Sequence, residues 1–255
     1  MDNQFLLSLI VAIFVGGVAG YLGSLMLTKR MALVGDALGH IALPGMGLAL
    51  LWGLNVSLGA FVFLLLGILL IWFLETKTHL PTETLVGIIF VFSLALGFLI
   101  TPEPELLHAL VGDISQVFLL DAAASVVLSI FVLYVVNKIY PKIILASISE
   151  DLAAVSRINI KKYNLIYLLA ISIIVALGVK VVGSLLIGAL VIIPAAASRI
   201  ISQNIRQYTL ISALLGILSC VLGILFSKIT GLPVGPLIIL TCILFFAISL
   251  VFKKE

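Results

Sequence analysis

Long apolar runs separated by short polar breaks fill this chain from end to end, and the runs are of helical rather than strand length. Nine apolar segments stand out, at 4–27, 33–54, 57–74, 84–101, 117–137, 163–180, 183–198, 207–228 and 233–252. A helix rises about 1.5 Å per residue and a bilayer core is about 30 Å thick, so runs near 20 residues predict membrane-crossing helices. The seventh run is short and Pro194 interrupts it, which makes it a candidate half-helix or re-entrant piece. The pattern therefore predicts an all-α fold, a polytopic transmembrane helical bundle of eight or nine helices forming one domain over 1–255. The first run starts near Phe5 with no basic residue before it and is too long for a signal-peptide core, so it is expected to be a retained helix.

Composition agrees and excludes a soluble enzyme. Hydrophobic residues make up 63% of the 255 positions and charged ones 10%, with a mean hydropathy of +1.38. Soluble domains are closer to half apolar and a quarter charged. The net charge of +3 is too small for a nucleic-acid footprint and reads instead as topology. Lys138, Lys142, Arg157, Lys161 and Lys162 crowd the connection 138–163, which belongs in the cytoplasm by the positive-inside rule. Lys29 with Arg30, Arg199 with Arg206, and Lys253 with Lys254 fall on that same side if all nine runs cross. The loop 101–116 carries Glu103, Glu105 and Asp113 without a Lys or Arg and suits the outer side. Nine crossings place the N-terminus outside and the C-terminus inside.

Helix pairing is foreshadowed by small residues: Gly16 with Gly20, Gly35 with Gly39, and the run Ala195–Ser198. In lipid, close backbone approach at such positions does much of the packing. Cys220 and Cys242 lie inside apolar runs and read as packing residues. Within the cytoplasmic connection, Ser149–Ile158 predicts a short helix. Ser149 can cap it, Glu150 and Asp151 suit its first turn, and Leu152, Val155 and Ile158 share one side. Those residues fit equally a helix flat on the membrane and one docked in a partner's groove.

The second run holds the chemistry. Asp36 and His40 are four apart, hence on one helix face. Counting from Arg30 puts them about 9 Å and about 15 Å into the apolar run, the histidine near mid-membrane. Ionisable groups at that depth face a bundle interior or a water-filled path. A carboxylate and an imidazole on one face are half of a first-row transition-metal site, suiting manganese, iron or zinc alike, or else a self-satisfying hydrogen-bonded pair. Pro44, Gly45 and Gly47 interrupt this helix just beyond His40, and Gly183, Gly188 and Pro194 repeat the device in the seventh run. Of the remaining candidates, His79 with Glu75 and Glu83 reads as a solvated cytoplasmic loop, and His108 with Glu103 and Glu105 as a polar outer loop. Asp113 and Asp121 suit the start of the fifth helix, and Lys180 can snorkel from a helix end. The chain has no GxxxxGK[ST] loop, no HExxH, no GxSxG and no Arg-rich helix, so P-loop ATP binding, metalloproteolysis, serine hydrolysis and voltage sensing find no motif here.

The run MALVGDALGHIALPG resembles the signature of the permease subunits of metal-ion ABC transporters, the manganese/zinc/iron group. TETLVGIIFVFSLALGFLI, LHALVGDISQVFLLD, SEDLAAVSRINI and KVVGSLLIGALVIIPAAASRI agree with it in order along the chain. The resemblance implies a type II ABC-importer-like permease in the cell membrane of a prokaryote. It implies a homodimer of two permease copies, a cytoplasmic ABC ATPase that binds the ATP, and an extracytoplasmic metal-binding protein that delivers a divalent ion. No tightly bound cofactor is expected, and the metal is cargo. On this resemblance Ser149, Glu150, Asp151, Leu152, Val155 and Ile158 form the element that couples to the ATPase, and Asp36 and His40 belong to the metal path. Family members commonly carry a serine before the histidine, where this chain has Gly39. The competing readings are a stand-alone cation channel or proton-coupled transporter using the same pair, and an intramembrane metalloenzyme, which needs more ligands than one face offers.

Overall fold

The computed structural model describes residues 3–78, 80–101, 110–111, 118–184 and 186–252, and among these the only regular elements are helices. In chain order they are α1 (Asn3–Thr28), α2 (Ala32–Ile41), α3 (Leu43–Leu51), α4 (Val56–Thr78), α5 (Thr82–Ile100) and α6 (Leu119–Ile148). They continue as α7 (Glu150–Val155), α8 (Ile160–Val182), α9 (Ile187–Ile201), α10 (Ile205–Thr230) and α11 (Val234–Val251). Eight stretches are long and apolar enough to cross a membrane, with α2 and α3 together making one of them, Val34–Leu51. The shorter α9 is the ninth apolar helix among the described residues.

Three boundaries depart from the sequence expectation. The fifth run does not stop at 137, because α6 continues through Pro141 to Ile148. Proline removes one intrahelical bond, and burial of Ile139 and Ile143 on either side of it holds the helix together. The connection expected at 138–163 therefore shrinks to the segment around α7, and Lys138 and Lys142 stand on a helix. The second run breaks at Ala42, two residues beyond His40 and already ahead of Pro44. Pro44 lies in the first turn of α3, where its missing N–H loses no partner. Glu83, expected in a loop, lies in the first turn of α5.

Packing centres on α1, which contacts α10, α9, α6 and α8. Gly16 and Gly20 let it meet α10: a methyl group at Gly16 would sit 2.8 Å from the Gly216 carbonyl oxygen, and Ser212 Oγ donates to the Gly20 carbonyl at 2.5 Å. Tyr167 Oη likewise donates to the Leu22 carbonyl at 2.8 Å, tying α8 to α1. The α2–α3 span packs against α5, α9 and α4 and is 78% buried, whereas the spans of α4, α5 and α6 are each 28% buried. The span bearing the ionisable pair is thus enclosed by protein and the others present their leucines and phenylalanines outward, as intramembrane charge requires. Cys220 and Cys242 are buried free thiols.

Candidate functional site

Two glycines seat α2 on the start of α9. A Cβ at Gly188 would lie 2.5 Å from Asp36 Cα and 2.8 Å from Asp36 N, so α9 presses directly on the backbone that carries Asp36. A Cβ at Gly39 would overlap the Ser184 carbonyl oxygen and stand 3.0 Å from Ile187 Cγ2. The turn ahead of α9 opens at Gly183, whose φ of +88° belongs to the region that favours glycine. At 15 residues α9 is about 22 Å long, short of a full crossing. Ahead of α9, Gly183 and Ser184 are non-helical, and the Ser184 backbone lies against α2 at Gly39. Irregular backbone at membrane depth is tolerated in such protein-covered places.

The two candidate side chains have different surroundings. Asp36 is exposed to a cavity of about 190 Å³ between α2 and α5, whose lining includes Glu83, Val86, Gly87 and Phe90. His40, one turn on, is only 7% exposed, and its Nδ1 has no hydrogen-bond partner. Its ring meets Phe90 edge-on at 5.0 Å between centroids, so Phe90 borders both the histidine and the acidic cavity. Ser184, 1% exposed, also has an unpartnered Oγ, and its carbonyl abuts the residue before His40. Leaving a buried polar atom unsatisfied costs roughly 1–3 kcal/mol, so both atoms are open to a polar partner. Among the described residues no group of three or more His, Cys, Asp or Glu side chains is close enough to hold a metal ion. The site as it stands is an acid facing a cavity and a buried imidazole one turn on.

Glu83 and Ser184 are the residues that sequence reasoning missed. Glu83 looked like part of a charged loop, and its signal was its place three residues after Leu80 and just after Pro81, at the start of an apolar run where an acid suits a first helical turn. Ser184 carries no one-dimensional signal. His79, His108, Glu103, Glu105 and Asp113 lie outside the described residues, as does the side chain of Lys180. Asp121 stands in the first turn of α6, as expected of a cap: its Oδ2 accepts from Phe118 N at 3.0 Å and its Oδ1 from Asn55 Nδ2 at 3.5 Å.

The short helix expected in the connection after α6 exists as α7, narrower than Ser149–Ile158. Ser149 Oγ caps it by accepting from Leu152 N at 3.3 Å. Leu152 is 53% and Val155 83% exposed, while Ala153 is buried beneath them, and Ile158 is half-buried. Asp151 is exposed, and the Glu150 side chain lies outside the description. Two large apolar side chains are therefore held out on a capped helix, largely uncovered by the described residues.

Residues 1–253 of the 255 match the model of the ABC 3 transport family. This protein belongs to that family. Its relatives include the manganese import system permease protein ScaB of Streptococcus parasanguinis, 32% identical over 95% of this chain and 88% of the relative. The high-affinity zinc uptake system membrane protein ZnuB of Buchnera aphidicola is 29% identical over 98% of both chains. Among solved structures, PsaBC from Streptococcus pneumoniae in complex with Fab superposes with a TM-score of 0.85 at 28% identity, covering 98% of this family member and 91% of that chain. The multi-pass helical architecture is thus shared with a permease family over essentially the full length.

Proposed function

We propose that this chain is the membrane permease of an ATP-driven importer of a divalent first-row transition metal, in the plasma membrane of a prokaryote. It works as a homodimer with a separate cytoplasmic ATPase and receives its cargo from an extracytoplasmic metal-binding protein. The observation that carries the reading is an acid–imidazole pair on the most enclosed span of a chain that matches the ABC 3 transport family throughout. Asp36 and the unpartnered Nδ1 of His40 supply hard and borderline donors that suit manganese and zinc, the metals in the relatives' names. Glu83 extends the carboxylate lining towards the basic, cytoplasmic side. The metal is cargo, so an incomplete ligand set favours release.

Reconstitution tests it. Proteoliposomes holding the permease and its ATPase should accumulate radioactive manganese or zinc with ATP and not without; uptake by the permease alone would move the protein to the channel or secondary-transporter class.

Coupling is assigned to α7. Burying Leu152 and Val155 in a groove of the ATPase is worth about 3 kcal/mol together, allowing for their partial exposure. The double substitution Leu152→Asp with Val155→Asp is expected to weaken permease–ATPase association by roughly a hundredfold. Co-purification at wild-type stoichiometry would remove α7 from that role.

A further inference from the structure

A second polar pocket, of about 300 Å³, opens where α1 and α6 end and α8 begins, on the face of the bundle that carries the basic residues. Its polar wall is formed by Lys29, Arg30, Ser147, Ser149 and Asn164, and Ile143 and Ile160 supply apolar wall. Lys29 Nζ donates to Asn164 Oδ1 and lies 5.5 Å from the Tyr167 ring, which fixes the ammonium at the rim and leaves it further N–H donors. Burial pushes the Lys29 pKa down to about 8 even though the Glu75 carboxylate nearby pulls it up.

Arg30 sits in a costly backbone conformation. The bonds Arg30 N to Leu27 O at 3.2 Å and Met31 N to Met26 O at 3.0 Å close α1 in a Schellman turn whose left-handed position is Arg30, with φ +60°. Glycine is the usual occupant there, and an L-residue costs about 1 kcal/mol more. Arg157, at φ +54°, ends α7 in the same way, and these two arginines are the only non-glycine residues with positive φ among those described. The Arg30 guanidinium has no hydrogen-bond or ion-pair partner among the described residues, and the residue is exposed.

We propose that this pocket binds the phosphate of an anionic phospholipid of the cytoplasmic leaflet, with Lys29 and Arg30 gripping the phosphate and the isoleucines receiving the start of its tails. The position argues for lipid: the pocket lies at the ends of membrane spans, has a cationic and an apolar wall, and faces the side where anionic headgroups concentrate. The side follows from the orientation proposed above. Such a lipid bridges the ends of α1, α6 and α8, of which α6 and α8 flank α7 in the chain, and so tunes how firmly α7 is presented to the ATPase.

The test uses the permease–ATPase complex in nanodiscs of phosphatidylcholine with a minor fraction of phosphatidylglycerol, followed by native mass spectrometry after stepwise delipidation. The wild type should retain phosphatidylglycerol preferentially. Lys29→Gln with Arg30→Gln should lower that retention on the order of twentyfold, at about fivefold per cation, and Lys29→Arg with Arg30→Lys should restore it. Equal retention in wild type and the Gln variant overturns the proposal. So does protection by inorganic phosphate added to pure phosphatidylcholine discs, which would make the ligand a soluble anion. Retention that appears only once the ATPase is stripped away also overturns it, since the pocket would then be an ATPase contact. Retention reads the pocket whichever way the chain is inserted, so failure here leaves the transport reading standing.

Discussion

His40→Ala is expected to abolish ATP-driven metal uptake, to about a hundredth of wild type or less, while the permease still assembles with its ATPase. Removing even an outer-shell partner of a metal ligand commonly costs 10–100-fold, and loss of the ligand itself costs at least as much. The substitution is clean because the His40 Nδ1 has no protein partner, so no hydrogen bond of the fold is broken with it. Asp36→Asn should act in the same direction while leaving the Gly188 contact with the Asp36 backbone intact. Glu83→Gln, at the same cavity but on the neighbouring helix, should slow uptake by a smaller factor. Uptake in proteoliposomes, normalised to permease–ATPase complex, measures all three. Wild-type rates for both His40→Ala and Asp36→Asn would remove the pair from the path.

Gly188→Val should destabilise the fold strongly and cut the yield of folded permease. Its first side-chain carbon would fall 2.5 Å from a backbone atom of Asp36, and a backbone cannot swing aside as a flexible side chain can. Overpacking of this kind costs about 1–3 kcal/mol or more, and here it would also part α2 from α9. Even Gly188→Ala should lower the melting temperature in detergent and reduce uptake together. Gly87→Ala is the matched control: it lies on the wall of the acidic cavity with nothing within 4 Å of an added Cβ, so it should be neutral or slightly stabilising. A melting temperature for Gly188→Ala equal to wild type would show that α2 and α9 do not meet as described.

Much of the bundle was legible one residue at a time. The apolar runs located every long helix to within a few residues, except at the end of α6. Pro141 stands inside that helix, and local rules weigh the bond it loses while the burial of Ile139 and Ile143 lies outside their reach. Gly16 and Gly20 were recognisable as a close-packing pair, yet nothing local says that their partners are Gly216 and Ser212 on α10.

What the sequence determined by itself was that this is a membrane-embedded helical bundle, which face of one helix carries an acid and a histidine, and which connection bears the short amphipathic helix. Those properties depend on hydrophobicity and on the 3.6-residue repeat, both of which are local. The tertiary structure alone decided that the Asp36–His40 span is the most enclosed one, that Glu83 shares Asp36's cavity and that Phe90 stands beside His40. It also decided that Ser184 reaches the space beside Gly39. Such facts depend on which helices cross and at what height. In lipid that choice is made by shape, where a glycine on one helix admits the backbone of another, and shape complementarity between distant segments is invisible to any pattern read along one of them.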